Sequence, residues 1–331
     1  MIRTEWYNGK VFITSWEGQT TENLQKYLQE AKNHQVKRED VIPCGKCIGC
    51  RLEYSRQWAN RIILEAKEWE ENWFVTLTYA DEYLPLKQTV NTETGEIYTG
   101  MSLEPDDLQK FLKRLRKYYE TKEKHTGIRY FAAGEYGEKL MRPHYHICIF
   151  NMPIKKEQLK KYKNNEQGDA LWTWQECAEK IWKKGYVVVG RLNWETAAYT
   201  ARYIMKKQKG KDAEWFYKSM AKYPEFTRMS LKPGIGQRYY EKNKEEIYKN
   251  DEIYIPKKNG GMKIKPPKAY DKKYKEEEPE KYDKIRQKRI EQKARAEKVK
   301  LKNSTNTLQE MLKIQEREKE EKTMKLIRSI E

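Results

Sequence analysis

Apolar positions along this chain recur at two different spacings, and the alternation between them predicts the elements. From about Leu52 to Glu70, Trp58, Ile62, Ile63, Ala66 and Trp69 fall on one side of a 3.6-residue repeat, which predicts a helix. Phe74 to Tyr79 (FVTLTY) is a short β-branched and aromatic run ended by Asp81 and Pro85, and reads as a strand. Residues 87–100, with Asn91, Gly95 and Gly100, read as a surface loop or hairpin. A second amphipathic helix over Asp106 to Lys122 carries Leu108, Phe111, Leu112 and Leu115 on one face. Two strands follow closely, Ile128 to Glu135 and His144 to Phe150, around a loop with Gly137 and Pro143. A helix is predicted across Asp169 to Lys183, with Trp172, Cys177 and Ile181 inward. It is followed by the strand Tyr186 to Gly190 and, after Asn193 as N-cap, a helix from Trp194 to about Gln208.

This order predicts an α+β fold: a split βαβ, ferredoxin- or RRM-like arrangement with an antiparallel sheet. Its helices are expected on one face, leaving the other free for a ligand. From Lys263 onward the chain has 22 Lys+Arg and 14 Asp+Glu among 69 residues, without Trp or Phe, too little apolar surface for a core of its own. Three segments are therefore expected: 1–51, an N-terminal segment with clustered cysteines; 52–262, the main domain; and 263–331, a charged tail, helical or partly disordered.

Composition narrows the function. The 331 residues include 68 Lys+Arg and 50 Asp+Glu, a formal charge of +18, so an anionic partner is expected, nucleic acid before an acidic membrane surface. Only 37% of residues are apolar, and no uncharged apolar run approaches the roughly 20 residues that span a bilayer. The first residues mix charge with aromatics and lack the apolar core of a secretory signal, so a cytoplasmic location is expected.

The sharpest local signal is RPHYHICIF. Alternate side chains on a strand share a face, so His144, His146 and Cys148 point one way, the two histidines about 7 Å apart along the strand. They either converge on a metal ion or are ordinary polar residues on a half-exposed sheet. For a metal, Glu135 on the neighbouring strand is the expected third ligand, with Glu138 in reserve, and such a set suits Mg²⁺ or Mn²⁺ able to bind phosphate oxygens. In NWETAAYTARYIMKK, Tyr199 and Tyr203 lie at i and i+4 on one helical face, with Lys206 and Lys207 on or near it. A phenol with a pKa near 10 needs a neighbouring cation and a metal-polarised phosphate to attack phosphorus. Core packing is the alternative in a chain with 24 tyrosines.

Five cysteines is an odd number, and Cys44, Cys47 and Cys50 sit within seven positions, which suits reduced thiols or a metal better than disulfides. Three thiolates are one short of the usual four for structural zinc. The fourth donor would be His34, Cys177 or another chain, and the spacing does not separate Zn²⁺ from an iron–sulfur cluster or from a plain reduced loop.

Taken together, the His-x-His strand and the downstream tyrosine helix resemble the HUH endonucleases, the single-strand nickases of rolling-circle replication. With PCGKCIGCR (Pro43 to Arg51), FVTLTY, AAYTARYIMKK and SLKPGIGQRYY (Ser230 to Tyr240) in the same order, the chain is similar to the replication initiators of gokushovirus-type microviruses over roughly Pro43 to Tyr240. The resemblance implies a metal-dependent, site-specific nickase and ligase acting on single-stranded or replicative-form phage DNA at the origin. His144, His146 and Glu135 would be its metal ligands and Tyr199 and Tyr203 its nucleophiles, with Lys206 as charge stabiliser. A 5′-phosphotyrosyl intermediate and a 3′-OH primer follow from that chemistry. Tyr145 stands where the wider class has an aliphatic residue, but it points away from the metal. The host bacterial cytoplasm is the implied location. No P-loop pattern is present, so host helicase and polymerase are expected as partners and no membrane. Two other readings fit parts of the pattern. One is a non-catalytic, RRM-like single-strand binder that stacks bases on its sheet. The other is a histidine-triad hydrolase, which Cys148 at the third position disfavours.

Overall fold

A computed structural model describes residues 2–14, 21–45, 47–91, 94–137, 140–165, 168–206, 211–257, 260–306 and 308–324. The chain divides into two compact units, Met1–Glu53 and Tyr54–Glu331. The first holds β1 (Ile2–Trp6), β2 (Val11–Thr14), α1 (Thr21–Asn33) and β3 (Val36–Val41), with an antiparallel sheet in the order β2-β1-β3. Trp6 is fully buried there, with Tyr27 of α1 edge-on at 5.2 Å. None of these strands was expected from apolar spacing.

The division falls within α2 (Ile48–Ala66), which starts earlier than its apolar stripe because residues 48–51 are polar or small. The second unit continues with β4 (Asn72–Tyr79), the hairpin β5 (Leu86–Val90) and β6 (Ile97–Met101), α3 (Pro105–Lys122), β7 (Arg129–Tyr136) and β8 (Pro143–Phe150). Then come β9 (Lys160–Asn164), β10 (Ala170–Thr173), the short α4 (Gln175–Cys177) with a further turn to Trp182, β11 (Gly185–Arg191), α5 (Trp194–Lys206), α6 (Lys211–Ser219), β12 (Phe226–Met229) and α7 (Gln237–Asn250). A last hairpin, β13 (Ile253–Lys257) and β14 (Gly260–Ile264), precedes α8 (Lys268–Glu277), α9 (Pro279–Lys302) and α10 (Leu308–Met324).

Seven strands form one antiparallel sheet in the order β12-β7-β8-β4-β11-β10-β9. The stretch β11-β4-β8-β7 is the split βαβ order expected from the sequence, and both crossover helices pack on one face. There Leu108, Phe111, Leu112 and Leu115 of α3 meet Trp182, Trp73, Val75 and Leu77 in a buried cluster. Tyr145 is on this face too, fully buried, donating to the Glu104 carbonyl at 2.7 Å and bonded to the Tyr79 hydroxyl at 2.9 Å.

Three expectations are corrected. The opposite face is not free: Ala59, Ile62 and Ile63 of α2, Ala197, Ala198, Tyr199 and Ala201 of α5, and residues of α7 and α8 cover part of it against Phe74, Phe131, Cys148 and Phe150. The helix expected over residues 169–183 begins as β10, because Leu171 and Thr173 pair with Gly190 and Val188 of β11. The charged stretch from Lys263 begins as folded structure: Tyr270 and Tyr274 of α8 are buried in the second cluster, Tyr274 stacked on Tyr248 at 3.7 Å. α9 and α10 then expose most of their charged side chains. Among the described residues no helix is long and apolar enough to cross a membrane.

One buried ion pair ties these layers together. Glu65 of α2 is fully buried and accepts from Arg129 Nε at the start of β7 (2.6 Å) and from the backbone N–H of Gly236 (2.7 Å). Arg129 also donates to the Pro233 carbonyl at 2.6 Å. Gly236 sits at φ +76, and a Cβ there would lie 3.0 Å from the Arg61 carbonyl, so this approach needs glycine. Arg129→Met leaves Glu65 buried without its cation and is expected to lower stability by about 3–5 kcal/mol. Urea unfolding tests this, and a loss well under 1 kcal/mol would contradict the role.

Candidate metal centre and tyrosine helix

The site is built by register. In the β7–β8 hairpin Glu135 pairs with His144 and Ala133 with His146, while across β8–β4 Thr76 pairs with His146 and Thr78 with His144. Because alternate residues share a face, Glu135, His144, His146, Thr76 and Thr78 all project from one side of the sheet. Glu135 Oε1 lies 2.8 Å from His144 Nε2 and 2.9 Å from His146 Nε2. All three side chains are buried: Glu135 is 2% exposed, His144 5% and His146 1%.

The outer ring nitrogens are also engaged. His144 Nδ1 is 3.2 Å from the Arg142 carbonyl, which only accepts, so Nδ1 is the donor there and Nε2 is the atom presented to Glu135. His146 Nδ1 is 3.1 Å from the Thr76 hydroxyl, and the ring stacks on Phe74 with 5.5 Å between centroids and 9° between planes. Burial by itself would raise the Glu135 pKa. The hydrogen bonds and positive charge from His144 and His146 overcome it and hold the carboxyl well below the usual carboxylate range.

The donor set fits a divalent ion. The three ligand atoms lie within 4.8 Å of one another. Adjacent ligands on an octahedral ion with bonds of about 2.0–2.2 Å stand about 3 Å apart, the scale of the contacts seen here. The expected reserve, Glu138, lies outside the described residues.

α5 lays Tyr199 over this centre. Its ring meets His146 edge-on, centroids 5.1 Å apart, and is 6.1 Å from Phe74; it is 4% exposed. Arg202, one turn on, has its guanidinium carbon 5.6 Å from the Tyr199 ring centroid. Tyr203 and Lys206 are in α5 by backbone, but their side chains lie outside the described residues, as does Lys207 altogether. Cys148, where a histidine triad would place its third His, is fully buried against the Thr200 hydroxyl, and burial pushes its thiol up to about 12.

Beside the centre, on the same sheet face, a cleft of about 250 Å³ runs over β4, β11, β10 and β9, lined by Thr76, Thr78, Val188, Tyr186, Tyr162 and Lys163. Tyr186 and Tyr162 are 65% and 56% exposed, with Lys163 Nζ 5.3 Å from the Tyr162 ring. Residue-type reasoning missed Thr76, Phe74, Arg202 and this cleft. The first two were visible in FVTLTY, whose alternate residues share the histidine face, and Arg202 in its i+3 spacing from Tyr199.

A family model for the replication-associated protein ORF2 family matches residues 72–208, the stretch from β4 through α5. The chain is 42% identical over 250 residues to "Replication-associated protein ORF2" of Spiroplasma virus 4, covering 74% of this chain and 71% of that protein. The chain belongs to this family of phage replication-associated proteins. It is also 32% identical over 246 residues to "Replication-associated protein VP4" of Bdellovibrio phage phiMH2K, covering 73% and 70% of the two chains. To "Replication-associated protein ORF4" of Chlamydia phage 1 it is 33% identical over 178 residues, 53% of this chain and 40% of that one. No solved structure matches. The microvirus-type replication initiator expected from the motifs is thus the family found.

In this initiator the Thr76 hydroxyl is the group that orients His146. Thr76→Val is expected to weaken Mn²⁺ binding about 10–100-fold, the usual cost of losing a partner that aligns a metal-binding histidine. Isothermal titration calorimetry measures it, and unchanged affinity would show that His146 is held by Phe74 alone.

Proposed function

We propose that this initiator is a metal-dependent, site-specific nickase and ligase of single-stranded DNA that starts rolling-circle replication through a tyrosine link. The observation that carries the reading is the convergence of His144, His146 and Glu135 on one point, with the Tyr199 ring edge-on to His146 at 5.1 Å. His144, His146 and Glu135 hold Mg²⁺ or Mn²⁺, which when bound polarises the scissile phosphate.

The chain's own residues do the rest. The attacking tyrosine loses its phenolic proton to solvent, and its oxygen forms a bond to phosphorus. The P–O3′ bond breaks and the 3′ oxygen takes up a proton. The products are a 5′-phosphotyrosine and a free 3′-OH that a host polymerase extends, with helicase work supplied by a host partner. Arg202 beside Tyr199 favours the phenolate, and Lys206 serves the same end for the phosphate charge. Two nucleophiles four residues apart on α5 let one cut while the other rejoins. The strand approaches along the cleft, where Tyr186 and Tyr162 offer ring faces to unpaired bases and Lys163 an ammonium to the backbone.

The deciding experiment incubates the full chain with circular single-stranded phage DNA and Mn²⁺ or Mg²⁺, then runs a denaturing gel. A metal-dependent protein–DNA adduct is expected. It should be absent in His146→Ala, which should retain most DNA binding, and in the Tyr199→Phe, Tyr203→Phe double variant, while each single tyrosine variant keeps some nicking. Full adduct in the double variant removes the tyrosine assignment. Tight binding without adduct on any origin-bearing strand leaves a base-stacking binder instead.

A further inference from the structure

The nickase reading leaves the cysteines of the N-terminal unit without a task, although their positions are specific. Gly45, at φ +74 with nothing within 4 Å of where a Cβ would be, turns the chain directly after Cys44. That turn brings the backbone N–H of Cys47 to 3.2 Å from Cys44 Sγ, the kind of contact that favours a sulfur carrying negative charge. α2 then begins at Ile48 and returns Cys50 in its first turn, placing Cys50 Sγ 3.8 Å from Cys44 Sγ. All three sulfurs lie within 4.8 Å of one another, and each residue is only half-buried.

These separations discriminate among the uses of clustered thiols. A disulfide needs sulfurs about 2.05 Å apart. An iron–sulfur cluster binds each cysteine to a different iron, and so holds the sulfurs farther apart than one shared ion does. A tetrahedral zinc with Zn–S bonds of about 2.3 Å sets neighbouring sulfurs about 3.8 Å apart, which is the Cys44–Cys50 separation.

We infer that Cys44, Cys47 and Cys50 bind one zinc ion through three thiolates, with a fourth donor from outside this set. The donors considered from the sequence do not serve. Cys177 is fully buried in the first core cluster, and His34 is paired with Glu30 at 3.7 Å. A solvent molecule or an exogenous donor therefore completes the ion. Binding converts three thiols to thiolates and releases three protons. The ion pins the turn at Gly45 to the head of α2, a role independent of the sheet centre.

Reduced, chelator-stripped full-length protein is titrated with Co²⁺, whose thiolate charge-transfer and ligand-field absorption report sulfur ligands directly, and zinc is counted by mass spectrometry in protein as purified. One thiolate-bound ion per chain is expected, displaced by Zn²⁺ and unchanged in the His144→Ala, His146→Ala variant, so that the sheet centre cannot supply the signal. Cys47→Ser should weaken binding more than about 100-fold, beyond the loss of a merely orienting partner. Cys50→His, which keeps a zinc-binding side chain, should retain the ion with an altered spectrum. Absence of the thiolate bands in the reduced wild type, their persistence in a Cys44→Ser, Cys47→Ser, Cys50→Ser variant, or iron and sulfide in anaerobically purified protein would each overturn the inference.

Discussion

The candidate site depends on the pairing of Glu135 with His144 across the β7–β8 hairpin. A slip of one residue would send Glu135 to the opposite face, among the apolar side chains under α3, and leave the two histidines without a carboxylate. The register is held from both ends. Arg129 at the start of β7 is locked to Glu65 and to the loop before α7, and Phe131, Ala133, Cys148 and Phe150 interleave in the second cluster between the anchor and the site. The residues that hold the register are thus mostly apolar, and the residues it delivers are polar.

That arrangement concentrates opposing electrostatic costs in one place. A carboxylate 2% exposed pays heavily for desolvation, and here two imidazoles offset the cost by donating to the same oxygen. The Thr76 hydroxyl and the Arg142 carbonyl hold the two rings from outside, so both Nε2 atoms stay aimed at one point. The geometry is over-determined by the sheet rather than by any ligand, as a preorganised centre requires.

The sequence made the central sheet legible and its surroundings less so, for identifiable reasons. β4, α3, β7, β8 and β11 have buried faces, so their apolar spacing follows the 2 and 3.6 periods. The split βαβ order and the sharing of one face by His144, His146 and Glu135 could be read from that. β9 (KKYKN) is an edge strand whose lysines protect it from pairing with other chains, and so it carries no apolar alternation to read. β10 has Trp172 and, five residues on, Cys177, a spacing that mimics a helix until pairing with β11 decides otherwise. The cover over the histidine face comes from α2, α5, α7 and α8, and no local pattern states which face a distant helix will choose. Tyr270 and Tyr274 illustrate this, lying in a stretch whose charge argued for solvent while their rings complete the second cluster.

The same cover constrains how a substrate reaches the centre. Tyr199 closes one side of the triad, so access is left along the strands, through the cleft floored by Thr76 and Val188. A cavity of about 250 Å³ has room for an unstacked nucleotide, not for a paired helix. On the proposed reading, strand selectivity then needs no base-specific contact to exclude duplex DNA. The cost of unpairing is met before the phosphate reaches the triad, and is least where the DNA is already single-stranded. Exposed Tyr186 and Tyr162 recover part of that cost by stacking, and the +18 net charge supplies the sequence-independent attraction that brings the strand to them.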